Sequence, residues 1–158
     1  MISVKKINDP SELQTVFDIR QKVFVEEQNV PQEEEYDEFE ETSVHYLATY
    51  NSKPAGVARW RETDKGIKLE RFAVLPEFRN KEVGGYILKQ VLADVLPLHP
   101  GKTIYLHAQV PAMNFYARYG FKKVGEMFSE CDIEHFKMVL CPPTQQLKTG
   151  VGFFCQLG

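Results

Sequence analysis

A short basic turn, Arg79-Asn80-Lys81-Glu82-Val83-Gly84-Gly85, joins an apolar, β-rich stretch to a run of apolar residues at helical spacing. A turn of this kind can hold an anion. The first N–H groups of a helix have no partner inside it, and the positive end of the helix dipole lies behind them. A phosphate at that point accepts several of these bonds at once. Arg79 and Lys81 add positive charge, while Gly84 and Gly85 allow close approach to the backbone. The chemistry expected is capture of a phosphate-bearing cofactor. Two elements must position it. Leu69 to Val74 reads as a strand, stopped by Pro76, which brings no N–H to a ladder. Val83, Ile87, Leu88, Val91, Leu92 and Val95 recur with the helical period. The sequence has neither G-x-G-x-x-G nor G-x-x-x-x-G-K-[ST], so the dinucleotide and nucleoside-triphosphate fingerprints both fail.

Arg79-x-x-x-x-Gly84 after a strand resembles motif A of the GNAT superfamily of acyl-CoA-dependent N-acyltransferases, usually [QR]-x-x-G-x-[GA]. Ala112-x-x-x-Tyr116-x-x-x-Gly120-Phe121 resembles its motif B. Arg20-x-x-Val23-Phe24-Val25-x-Glu27-Gln28-Asn29-Val30-Pro31 is similar to the first helix of the ElaA-like branch. So are Leu106-His107-Ala108-Gln109 and Ile133-Glu134-His135-Phe136-Lys137-Met138. The matches run in order over roughly residues 1–140.

The resemblance implies a GNAT fold, an α/β architecture with a mixed central sheet flanked by helices. It implies an N-acetyltransferase that moves an acetyl group from acetyl-CoA to a primary amine by direct attack, through a tetrahedral intermediate. The cofactor would lie along Phe72, Ala73 and Val74, with backbone groups of Phe72 and Val74 pairing with the pantetheine arm as an added strand does. Its pyrophosphate would meet Arg79, Asn80, Lys81, Glu82, Val83, Gly84 and Gly85, and Gln109 and Tyr116 would complete the cofactor site. The chain departs from the motif at Glu82, which stands where the first glycine belongs, and at Asn80, another frequent glycine position.

Such a reaction needs an acid for the leaving thiolate and a base for the amine. Tyr116 is the candidate acid, because in the family the motif B tyrosine lies near the cofactor sulfur. A phenol, with an ordinary pKa of about 10 against about 8.5 for a thiol, is protonated at neutral pH and can donate. Glu70 and His107 are rival bases. Glu70 alternates with Leu69 and Arg71 and so faces away from them; it also reads as an ion-pair partner of Arg71 or Arg59. A histidine side chain has a reference pKa of about 6.5, near the useful range, which makes His107 the rival; it also reads as a hydrogen-bonded strand histidine. Glu27, Gln28 and His45 are candidates for the acceptor cleft, and His135 could line it too. The acidic run from Glu33 to Glu41 is either a solvated loop or an attractor for a cationic amine. Cys131 and His135 have a C-x-x-x-H spacing, but with no second pair a metal site is not expected.

The alternative reading is a non-catalytic CoA-binding module of the same fold; Glu82 in the phosphate turn supports it. A weaker third is an interaction protein that no longer binds cofactor. The acceptor expected from the resemblance is a small-molecule amine or a protein amine.

The 158 residues suit one domain, expected over 1–141 with a C-terminal extension over 142–158. A formal charge of −3 argues against a general nucleic-acid or membrane-surface binder. No apolar run is long enough to span a bilayer, and the first ten residues do not read as a signal peptide. Three cysteines at no framework spacing suggest a reducing, cytoplasmic setting. The apolar end, Val151 to Leu157, is expected either to pack on its own domain or to serve a homodimer contact.

The remaining elements follow from punctuation. Ile2 to Ile7 reads as a strand. Asp9-Pro10-Ser11-Glu12 starts a helix whose apolar face carries one arginine, Arg20. Residues 29–43 read as an acidic connection. Val44 to Tyr50 and Ala55 to Arg61 form a hairpin about Asn51-Ser52-Lys53-Pro54. The motif A helix should end near Leu96, before Pro97. Lys102 to Ala108 is a strand, Pro111 to Tyr119 a short helix, and Phe121 to Met127 and Ile133 to Leu140 are closing strands.

Overall fold

The computed structural model describes residues 1–141, so the expectations for the extension at 142–158 fall outside the described residues. The described residues form two units: Met1–Glu62 with Leu69–Lys102, and Thr63–Lys68 with the described residues from Thr103 onward.

The first unit holds β1 (Ile2–Ile7), β2 (Val44–Tyr50) and most of β3 (Lys53–Thr63) and β4 (Gly66–Val74), which lie side by side in chain order. β1 and β3 both pair antiparallel with β2. Successive side chains of a strand point to opposite faces, and β2 shows what covers each. His45 meets the edge of Phe17 on α1 (Pro10–Arg20). Tyr46 donates to Asp94 on α3 (Val83–Leu98) at 2.8 Å and accepts from Trp60 Nε1 at 3.1 Å. One helix therefore lies on each face.

α1 starts as its sequence dictates. Asp9 caps it, its Oδ1 accepting from the Ser11 amide at 2.8 Å, and Pro10 takes the first helical position. Its continuation differs from the expected single helix. Gln21–Glu27 is π-helical, closed by the Gln28 amide donating to Val23 O at 3.1 Å. A further short helix, α2 (Gln32–Glu35), lies inside the acidic connection.

α3 buries Val83, Ile87, Leu88, Val91 and Val95. It runs two residues past the expected stop, with Pro97 in its last turn and the His99 amide donating to Val95 O at 2.9 Å. A proline so near a helix end removes only one ladder bond. Gly56 on β3 allows close packing: a Cβ there would lie 2.9 Å from Ile87 Cδ1 and 3.0 Å from Ala73 O.

The second unit carries β5 (Ile104–Gln109), α4 (Met113–Ala117), β6 (Phe121–Glu130) and β7 (Ile133–Leu140), with strand order β5-β7-β6 and antiparallel pairing. Cys131 and Asp132, both at positive φ, make the tight β6–β7 turn. β6 continues beyond the expected end at Met127. Its register shifts between Val124 and Phe128, where Gly125 has φ of +75°, and pairing then resumes through Glu130.

Candidate functional site

The basic turn is built from left-handed residues. After a 3-10 turn at Pro76–Phe78, Arg79 is extended, Asn80 has φ of +61°, and Glu82 is left-handed at φ +70° and ψ +9°. These are the two places where the motif this segment resembles favours glycine, a residue that adopts the left-handed conformation without steric cost. Asparagine tolerates it, whereas a glutamate there carries a steric cost of roughly 1–2 kcal/mol. Glu82 is the N-cap of α3 and makes no side-chain capping bond, so the turn leads its backbone directly into the helix amides. The turn is left-handed at Asn80 and Glu82 and carries a carboxylate at its second left-handed residue. Lys81 lies over the Tyr50 ring, its Nζ 5.8 Å from the centroid.

Arg79 is held on two sides. Its Nε donates to Val74 O at 2.9 Å, and Nη1 and Nη2 donate to the two carboxylate oxygens of Glu27 at 2.7 Å each. These bonds lower the Glu27 carboxyl below its ordinary range and raise Arg79. Sequence reasoning placed Glu27 on the acceptor side and Arg79 on the cofactor side; the structure brings them into contact. Gln28 closes the π-helical segment beside them.

A second constellation lies on the α1-facing side of the first unit's sheet. Glu70 Oε2 accepts from Arg59 Nε at 2.8 Å and lies 2.6 Å from Arg59 Nη2, and Arg61 Nε is 3.1 Å away. Arg59 also reaches Asp37 at 2.7 Å and Glu40 at 2.9 Å. Buried Arg20 binds Glu35 and Glu40, each at 2.8 Å, and Arg71 lies 3.2 Å from both Glu35 and Asp37. This arrangement corrects two expectations. Glu70 and Arg71 end on one network rather than on opposite faces, because Arg71 has φ of +56° and breaks the alternation. In the acidic run, Glu35, Asp37 and Glu40 fold inward onto arginines instead of staying solvated, while Glu33, Glu34, Glu38 and Glu41 are exposed.

Burial pushes the carboxyls of this network up and the arginines pull them down, with different winners. Burial prevails at Glu35, which is raised. At Asp37 the Arg59 hydrogen bonds and charge outweigh burial and hold the carboxyl at about 2. Glu40 is also lowered against burial, chiefly by Arg20. His45 is lowered by burial; its Nε2 lies 2.8 Å from Glu40 O, and its buried Nδ1 has no hydrogen-bond partner among the described residues.

In the second unit His107 Nδ1 lies 2.9 Å from Glu130 Oε1, and the imidazole meets the edge of Phe128 at 5.0 Å. The bond to His107 holds the Glu130 carboxyl below its ordinary range. Sequence reasoning missed Glu130, because nothing in the local pattern foretells that β6 resumes past its bulge. Phe128 also stacks on His135, whose Nδ1 bonds to Ile133 O at 2.7 Å. Gln109 ends β5 opposite His135. Tyr116 is 9% exposed on α4, between the rings of Phe115 and Phe121, and burial raises its phenol far above the ordinary range. It therefore stays protonated. Among the described residues no three metal-ligating side chains converge, and no helix is long and apolar enough to cross a membrane.

Comparison with known proteins places this fold in a family. The family described as "Acetyltransferase (GNAT) domain" matches residues 7–141. The uncharacterized N-acetyltransferase YjcF of Bacillus subtilis is 40% identical over 129 residues, covering 81% of this chain and 91% of YjcF. Protein ElaA of Escherichia coli is 31% identical over 132 residues, covering 81% and 86%. The crystal structure of Escherichia coli ElaA superposes with a TM-score of 0.77 at 28% identity, over 89% of this chain and 99% of that one. A GNAT family acetyltransferase from Elizabethkingia anophelis, solved with acetyl-CoA bound, shares the fold with a TM-score of 0.61 at 19% identity, over 87% and 94%. The fold is accordingly the GNAT acyl-CoA N-acyltransferase fold, a mixed seven-strand sheet flanked by helices. The chain belongs to the GNAT acetyltransferase family.

Proposed function

We propose that the protein transfers an acetyl group from acetyl-CoA to a primary amine by direct attack of the amine on the thioester. The observation that carries this reading is the turn. Asn80 and Glu82 are left-handed at the positions where the family motif favours glycine, and they lead into the α3 N-terminus in the connection that follows β4. A relative by fold binds acetyl-CoA. The α3 amides and Arg79 would hold the pyrophosphate. The edge formed by Phe72, Ala73 and Val74 would take the pantetheine arm.

For proton transfer we assign Tyr116 as acid and His107 as base. Buried and protonated, Tyr116 is in the form that a departing thiolate needs. A contact from Nδ1 to Glu130 leaves Nε2 of His107 to accept the amine proton, and orienting a base through its second nitrogen is a recurrent device. Glu70, gripped by Arg59 and Arg61, is assigned to hold the sheet face together. As the N–C bond forms and the C–S bond breaks, the amine proton passes to His107 and the Tyr116 proton to sulfur.

The test is isothermal titration with acetyl-CoA, followed by thiol release across a panel of small amines, polyamines, amino sugars and lysine peptides. Binding with turnover on at least one amine is expected. Binding without turnover on any of them would favour a non-catalytic CoA-binding module, and no binding would remove the cofactor reading.

A further inference from the structure

Arg79 already has partners at every nitrogen. Nε donates to Val74 O at 2.9 Å, and the two Nη atoms meet the Glu27 carboxylate at 2.7 Å each. This two-pronged geometry is also the one in which a guanidinium takes a phosphate. The side chains are 38% and 41% exposed, so water and ions reach the pair. Exposed pairs of this kind are weak and exchange readily.

We propose that Glu27 occupies the phosphate position on Arg79 until an acyl-CoA arrives, and is then exchanged for the cofactor's phosphate. The inference rests on the reading that the turn binds CoA. The Nε bond to the Val74 carbonyl keeps the guanidinium at the strand end throughout, so only its Nη edge changes partner. A pyrophosphate carries more charge than one carboxylate and also meets the α3 amides, so it displaces Glu27. Glu27 thereby lowers the apparent affinity for cofactor, and it does so only through Arg79.

Isothermal titration with CoA tests this on four proteins: wild type, Glu27→Gln, Arg79→Gln, and the double variant. Glutamine at 79 is chosen because it can still donate to Val74 O without attracting Glu27. The Glu27→Gln protein should bind CoA about threefold to fivefold tighter than wild type, the range an exposed ion pair commands. In the Arg79→Gln background the same change should leave affinity within about twofold. Unchanged or weaker binding by Glu27→Gln overturns the inference. Equal tightening in both backgrounds also overturns it, since that is bulk charge rather than exchange. Failure of wild type to bind CoA removes the cofactor reading as well, whereas wild-type binding with no effect of Glu27→Gln removes the exchange alone.

Discussion

Glu130 Oε1 lies 2.9 Å from His107 Nδ1, a contact from the end of β6 to the middle of β5 across the intervening β7. With the best acceptor from the amine panel, His107→Ala should lower kcat by at least about 100-fold, the usual contribution of a positioned base. Glu130→Gln should cost less, roughly tenfold, because the imidazole stays but loses its anchor. An NMR titration provides a readout without substrate: in His107→Ala the Glu130 carboxyl should move up toward ordinary glutamate values, since the bond that lowers it has gone. An unmoved carboxyl would mean the two groups do not interact in solution.

Glu70 is expected to behave as a structural anion. Removing it leaves Arg59, which is 1% exposed, short of a partner. Breaking a buried pair on one side costs about 3–5 kcal/mol. Urea unfolding of Glu70→Ala should therefore show a large loss of stability. A variant with native stability and a collapsed kcat would instead make Glu70 the base.

Glu82→Gly should improve both binding and stability. Glycine adopts the left-handed conformation without steric cost, although it loses more chain entropy on folding. The balance should favour the folded state by roughly 0.5–1 kcal/mol. Affinity for CoA should rise because a carboxylate leaves the phosphate turn. Calorimetry measures both, and a weaker complex would mean that Glu82 assists the ligand.

Acid should destabilise the first unit in two stages. His45 is held below its ordinary 6.5 by burial, so protons bind the unfolded chain preferentially and stability falls as pH drops from about 6.5. Asp37 is depressed from 3.8 to about 2, so its contribution is present above pH 4 and is lost as pH falls toward 2. That contribution is roughly 1–2 kcal/mol after allowing for partial exposure. Glu35, raised by burial, works in the opposite direction and softens the loss. Melting curves from pH 7 to pH 2 check the profile, and His45→Phe should remove its upper stage.

What the sequence revealed and what it withheld divide by range. The strands and helix starts were legible because their causes are local: Asp9 and Pro10 set one helix start, and Val44–Tyr50 has the expected bounds. The turn at 79–85 was legible as a motif, and its glycine departures marked the residues that prove left-handed. The side-chain constellations were not legible. Glu27 meets Arg79 across 52 positions, and His107 meets Glu130 across 23 and past a bulge. Arg71 defeated the alternation rule through one backbone angle. The inward turn of Glu35, Asp37 and Glu40 was not legible because their arginine partners come from α1, β3 and β4, which only the tertiary structure assembles.

That assembled network has a consequence for how ligands find the protein. Arg20, Arg59, Arg61 and Arg71 face Glu35, Asp37, Glu40 and Glu70, positive and negative in equal number and at contact distance. Opposite charges so interleaved cancel over distances shorter than the screening length of about 8–10 Å at ordinary ionic strength. Seen from solution, the buried half of the acidic run is electrically silent. Whatever long-range pull a cationic ligand feels there comes from Glu33, Glu34, Glu38 and Glu41, which are exposed to water.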